Sequence, residues 1–433
     1  EARCAKEKRT LQFVPDFEGL RKLRQLGKKK KSEGELSVET RKMTIPKVMR
    51  TTVLGFAKRC LRGPVSLQTH LVRAMSTTES SDVLLEKVGN KGVITLNRPK
   101  ALNALSLEMV RQIYPVLKKW DTDPEMKMVI IKAAPGSKAF CAGGDVKAIA
   151  LTQGKESELR DAFFREEYRL NNLIASLTVP YVALVDGVTM GGGVGLSVHG
   201  TFRVATERTV FAMPETAIGF FPDVGGSYVL PRLPGKLGLY LGLTGQRMIG
   251  WDVLKGRIAT HFSSSQRMEH IEGDLMRLTT PNISDIDKIL IKHQDQCEAD
   301  FRKEFILKKY MGRINAAFDA PSVEKIIENL KKDNSDWAKE QLTTLSKMSP
   351  LSLKITFKLL EEGIRLTLQD ALKMEFRLSQ RFMQDSDFYE GVKSVLIDRT
   401  GSPKWNPTTL EEVTDEKVNS YFEPLPSDKE LRL

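Results

Sequence analysis

The chain holds few of the residues from which function is easiest to guess. Only 4 of its 433 residues are Cys and 5 are His. Four cysteines cannot staple a chain of this length, so a disulfide scaffold is excluded and a reducing interior is expected. His70, His199, His261, His270 and His293 form no close pair at ligand spacing, so no metal centre is expected. No run approaches the roughly 18 apolar residues a spanning helix needs. Neither G-x-G-x-x-G nor Walker A spacing occurs, which argues against a nucleotide-phosphate cradle. Ser197 and His199 lie close together, but no G-x-S-x-G elbow exists and a serine hydrolase is disfavoured.

Positive charge is present, and it is local. The chain has 67 Lys plus Arg against 55 Asp plus Glu, a net of +12. Residues 1–42 carry 13 basic and 7 acidic side chains, and residues 43–78 carry 6 basic and none acidic. Residues 79–433 hold 48 of each and are neutral. The acid-free stretch from Met43 to Thr78, rich in Arg, Ser and Thr, fits a mitochondrial or plastid transit peptide. Residues 1–42, with the run Lys28 to Lys31, read either as sequence upstream of a start at Met43 or as an extension that meets an anionic surface. The final tripeptide Leu431-Arg432-Leu433 lacks the small first residue of a peroxisomal signal, so the mitochondrial matrix is the expected compartment.

The neutral body reads as α/β. Val83–Val88 and Gly92–Leu96 are strand-like runs joined by a Gly-Asn turn, and Lys127–Ala134 and Pro180–Val185 read as strands buried on both faces. Leu107, Val110, Ile113, Tyr114 and Leu117 fall at helical spacing, with a kink expected at Pro115. Ser137–Asp145 reads as a loop, 156–177 as a helix, and 202–205 and 210–212 as strands. Beyond Pro231 the pattern is helical almost to the end, with segments at 322–332, 337–347 and 351–360. The expected organisation is a basic leader (1–78), a β-β-α core (79–280) and a helical region (281–433) that completes the same domain.

Three glycine-bearing loops follow strand-like runs: Phe140 to Asp145, Met190 to Gly195 and Phe220 to Gly226. A strand that turns through glycine into a helix leaves the helix's first N–H groups unpaired, and two converging N–H groups make an oxyanion hole. Singly, each loop is as well explained as an ordinary turn. In order and wording, KAFCAGGD at 138–145, PYVALVDGVTMGGGVGLSVHG at 180–200 and FAMPETAIGFFPDVGG at 211–226 resemble the crotonase (enoyl-CoA hydratase/isomerase) superfamily. With FFREEYRLNN at 163–172 added, the likeness is greatest to its 3-hydroxyisobutyryl-CoA hydrolases of the plant mitochondrial type, over about residues 82–425.

That resemblance implies a crotonase-like β-β-α superhelix followed by a helical C-terminal region, and an acyl-CoA thioester hydrolase of valine catabolism. It matches Gly144 and Gly192 to the oxyanion-hole donors, Glu215 to the catalytic carboxylate and Asp223 to the second acid of the hydrolases. Glu167 matches a substrate-contacting acid. No cofactor is implied, CoA being part of the substrate. Gly195 stands where a hydratase of the family has a second Glu, which weighs against water addition to a double bond. From the residues alone, Glu215 reads equally as an acid in a first helical turn, Asp223 as a turn residue, and Glu166 and Glu167 as a solvated helix face. Two other readings stay open: an enoyl-CoA hydratase or isomerase, and a subunit docked through the basic leader on an RNA-rich assembly such as the mitochondrial ribosome. Homo-oligomerisation is left open, as is the choice between nucleophile and general base for Glu215.

Overall fold

A computed structural model describes residues 81–297 and 303–433 of the chain. The basic leader and its transit-peptide reading lie outside the described residues.

Two sheets organise the body. The first has six strands in the order β1 (Val83–Val88), β2 (Lys91–Leu96), β3 (Met128–Ala133), β5 (Tyr181–Val185), β7 (Phe202–Ala205) and β10 (His261–Phe262). The second has four: β4 (Ala139–Cys141), β6 (Val188–Met190), β8 (Val210–Ala212) and β9 (Met248–Ile249). Strands β1 and β2 form a hairpin around Gly89 and Asn90, while β2, β3, β5, β7 and β10 run parallel. Three times in succession the chain lays one strand in the first sheet and the next in the second (β3 then β4, β5 then β6, β7 then β8) before it turns helical. This is the β-β-α superhelix expected from the sequence.

The parallel sheet is covered on both faces, which explains why β3 and β5 read as continuous apolar runs. Val129, Ile131, Tyr181 and Ala183 face one core with Val110, Ile113 and Leu117 of α1 (Leu107–Thr122). Met128, Ile130, Val182 and Leu184 face the other, against Ile271, Leu275, Ile286 and Leu290 of two later helices. Helix α1 starts where the Ser106 hydroxyl accepts the Met109 N–H, and it continues through Pro115 as one element.

The helices around the site are α2 (Val146–Ala150), α3 (Leu159–Ser176), α4 (Gly192–Ser197), α5 (Gly226–Val229) and α6 (Leu368–Phe382). A third core runs from Ile149 to Leu431 and joins α3 and the 220–224 loop to the C-terminal helices. Its centre is aromatic: Phe220 stacks on Phe164 and Phe221, and Phe382 and Phe388 meet it edge-on.

Two expectations change. Ser137–Asp145 contains β4, and β9 and β10 interrupt the stretch after Pro231 that reads as helical. These strands are two or three residues long and are defined by distant partners (β10 by β7, β9 by β8), so they leave no periodic pattern of their own.

Candidate active site

Strands β4 and β6 pair in parallel, Ala139 opposite Val188 and Cys141 opposite Thr189, so they end side by side. Each then passes through a glycine turn into a helix. Gly143 has φ +117 and Gly191 φ +42, conformations that a side chain would strain, and their successors Gly144 and Gly192 face each other. A methyl group placed on Gly192 would lie 3.2 Å from the Gly144 nitrogen. Gly192 is also the first residue of α4, whose first N–H groups have no partner within the helix.

Carboxylates close in on this pair. Glu215 follows β8, the next strand of the same sheet, and opens a 3-10 turn. Its Oε1 would stand 3.1 Å from a methyl on Gly191. On α3 the inward stripe is Phe163, Phe164, Glu167, Tyr168, Leu170, Asn171 and Ile174, which fixes the phase that sequence left open. Glu167 is 1% exposed and its Oε1 would lie 2.7 Å from a methyl on Gly192, whereas Glu166 faces outward and pairs with Arg111 at 2.7 Å. Asp223, in the loop before α5, accepts the Tyr168 hydroxyl on Oδ2 at 2.8 Å. Gly144, Gly192, Glu167, Glu215 and Asp223 are thus brought to one place.

Three further residues join them that sequence reading did not single out. Tyr168 and Asn171 lie on the same face of α3 as Glu167. Glu375 of α6, fully buried, accepts the Gly225 N–H at 2.7 Å and the Ser227 N–H at 2.9 Å. All three occupy positions of an apolar stripe, where a polar residue is the signal to look for.

The site is electrostatically frustrated. Glu167 Oε1, Glu215 Oε2 and both polar atoms of the Asn171 amide are buried without a hydrogen-bond partner among the described residues. No ion pair neutralises Glu167, Glu215, Asp223 or Glu375 among the described residues. Burial, then the charge of Asp223, holds Glu215 well above the usual carboxylate range. Burial does the same to Glu167, with Asp223 and Glu375 adding repulsion. Asp223 is pushed up to about 7 by burial, against the opposing pull of the Tyr168 hydroxyl. Acids raised together in one buried cluster titrate as a unit, a pattern that gathers at functional sites. By contrast, burial lifts the Cys141 thiol to about 12, which leaves it an inert packing residue.

Gly195 settles one point of chemistry. A single Cβ there would meet Asn171 Nδ2 at 2.7 Å and Val224 Cβ at 2.8 Å, so no second Glu fits. A groove of about 490 Å³ between α1 and α3, lined by Arg111, Glu158, Asp161, Arg165, Glu166 and Arg169 among others, is separate from these carboxylates.

A two-sheet β-β-α superhelix with facing glycine turns and a buried carboxylate beside them defines a crotonase-type acyl-CoA protein. The chain belongs to the enoyl-CoA hydratase/isomerase family, whose family model matches residues 91–422. It is 56% identical over 373 residues to the 3-hydroxyisobutyryl-CoA hydrolase, mitochondrial, of Danio rerio, covering 86% of this chain and 97% of that one. It is 55% identical over 358 residues to the Homo sapiens protein of that name, covering 83% and 92%. These relatives are vertebrate and do not speak for the plant type. Among solved structures it is similar to a carnitinyl-CoA dehydratase from Mycobacterium thermoresistibile, with TM-score 0.74, 35% identity, and coverage of 81% of this chain and 98% of that one. An enoyl-CoA hydratase from Rhodobacter sphaeroides 2.4.1 gives TM-score 0.72 at 36% identity, covering 82% of this chain and all of that one.

Proposed function

We infer that the protein hydrolyses the thioester of 3-hydroxyisobutyryl-CoA to the free acid and CoA, a step of valine catabolism, and that it works in mitochondria. Relatives at 55–56% identity carry that name, and the site supports the same chemistry. One observation carries the choice of hydrolysis over hydration: Gly195, packed against Asn171 and Val224, leaves no room for an acid at the position where a hydratase of the family has its second Glu. A hydratase of the family adds water across a double bond with the help of that second Glu. Cleaving a thioester requires one carboxylate and a place for the carbonyl oxygen.

In the mechanism we propose, the Gly144 and Gly192 N–H groups hold the carbonyl oxygen as it gains charge. Such donors are worth roughly 10²–10³ in rate. Glu215 then acts in one of two ways. As a nucleophile it attacks the carbonyl carbon, expels the CoA thiolate and forms a mixed anhydride that water opens. As a general base it takes a proton from a water that attacks directly. Either route consumes one water and yields one carboxylic acid and one thiol. Asp223, held by Tyr168, orients water or substrate, and Glu167 meets the 3-hydroxyl group. No cofactor takes part in this scheme.

The test is Glu215→Gln with free thiol as the readout. Loss of about 10²–10⁴-fold in kcat is expected, and wild-type turnover would remove Glu215 from the mechanism. We further propose that residues 281–433 complete the folding unit of 79–280, a reading supported by the core they share. The basic residues of 1–78 support a separate proposal, contact with an RNA-rich assembly, in which co-sedimentation with mitochondrial ribosomes should fall steeply with salt.

A further inference from the structure

The turn that carries Asp223 has an unusual backbone. Val224 lies at φ +53, in the left-handed region that a β-branched residue avoids, and Gly225 follows at φ +84. A strained turn persists only where its surroundings over-determine it. Here they do so from three sides. His199, just past α4, places its Nε2 2.7 Å from the Val224 carbonyl, and since a carbonyl only accepts, this nitrogen is the donor. Tyr168 of α3 donates to the Asp223 carboxylate. From α6, Glu375 takes the Gly225 N–H on Oε2, and the Ser227 N–H and hydroxyl on Oε1, the last at 2.5 Å.

Glu375 is thus a fully buried acid with no basic partner among the described residues, and all three of its donors belong to the segment that presents Asp223. Nothing in thioester cleavage requires it to touch the substrate. Resting on the hydrolase reading above, we propose that Glu375 is a positioning residue: it holds the 223–227 turn in its strained form and so fixes where the Asp223 carboxyl stands. The groups facing it are Asp223 on the turn, Glu167 and Tyr168 on α3, Ser227 on α5, and neutral His199, whose ring borders Gly225. Nearby arginines are engaged elsewhere: Arg165 over the Phe376 ring, and Arg377 with Glu430. Asp223 raises Glu375 by repulsion, after burial, and Glu375 in turn raises Glu167.

The test uses the full chain and thiol release from 3-hydroxyisobutyryl-CoA. Glu375→Gln keeps the shape but turns an amide N–H toward one of the donors that the carboxyl now accepts. Its kcat should fall about 10-fold or more with KM nearly unchanged. Ser227→Ala, which deletes only the hydroxyl, should lower kcat by a few-fold in the same KM-independent way. A Glu375→Gln protein with unchanged kcat, or with a loss carried by KM, overturns the proposal. If that variant does not fold, Ser227→Ala decides, and a wild-type kcat there overturns it. A wild-type protein that leaves the thioester intact refutes the hydrolase reading and this inference with it. Wild-type turnover beside an unaffected Glu375→Gln refutes this inference alone.

Discussion

Replacing Asp223 by Asn should cost activity and gain stability, with a pH dependence whose sign is fixed. Burial raises the Asp223 carboxyl from 3.8 to about 7. The unfolded chain therefore releases this proton first as pH rises, the folded protein binds more protons between about 4 and 7, and stability falls across that window. The accumulated penalty is about 1.6 kcal/mol at pH 5 and about 4 kcal/mol at pH 8, at 1.36 kcal/mol per pH unit. Asn removes the charge and can still accept the Tyr168 hydroxyl, which now stands 2.8 Å from Asp223 Oδ2. The variant's advantage over wild type should accordingly grow by about 3 kcal/mol from pH 5 to pH 8. Urea unfolding of both proteins at the two pH values measures it, with thiol release followed in parallel. An advantage that stays flat with pH, or a variant less stable than wild type at pH 8, would refute the reasoning.

Three other expectations follow from the same contacts. Gly195→Glu, which would write in the hydratase acid, should lower stability and thioesterase turnover without producing hydration, because Asn171 and Val224 fill the space; hydration of an enoyl thioester by this variant would contradict that. Leu431→Ala should cost about 2–4 kcal/mol, because Leu431 is 2% exposed while Arg165 holds the neighbouring carbonyls of Lys429 and Glu430 at 2.9 and 3.0 Å; an unchanged melting temperature would show the tail to be ornamental. His199, pushed down to about 4 by burial, should remain neutral at pH 5.5 in a ring-nitrogen NMR spectrum. A ring protonated at that pH would contradict the expectation, although its Nε2 would still donate to the Val224 carbonyl.

Much of the frame was legible in the chain. The buried runs of β3 and β5 and the apolar stripe of α1 announce their elements because each repeats a packing environment over several residues. β4, β6, β9 and β10 do not: two or three residues long, they are defined by pairing with distant strands, and of the strands this short only β8 reads as one from its apolar residues. The site divides along the same line. Glycine loops and the Glu215 and Asp223 segments carry wording specific enough to be matched, although as isolated residues each acid has an equally good bland explanation. Helical phase would have separated Glu167 from Glu166, since Phe163, Phe164, Glu167, Leu170, Asn171 and Ile174 form one stripe. Glu375 sits in a comparable stripe between Leu372 and Ser379, but its partners at Gly225 and Ser227 are far away in sequence, and only the fold brings them together.

The most direct measurement of the central claim gives the purified protein two substrates in parallel, 3-hydroxyisobutyryl-CoA and a matched enoyl-CoA. Free thiol is followed for the first and enoyl absorbance for the second. With Glu215 against the glycine turns and no room for an acid at Gly195, the first should yield one thiol per thioester consumed while the second keeps its absorbance. Loss of enoyl absorbance without thiol release from the hydroxyacyl thioester would contradict the account.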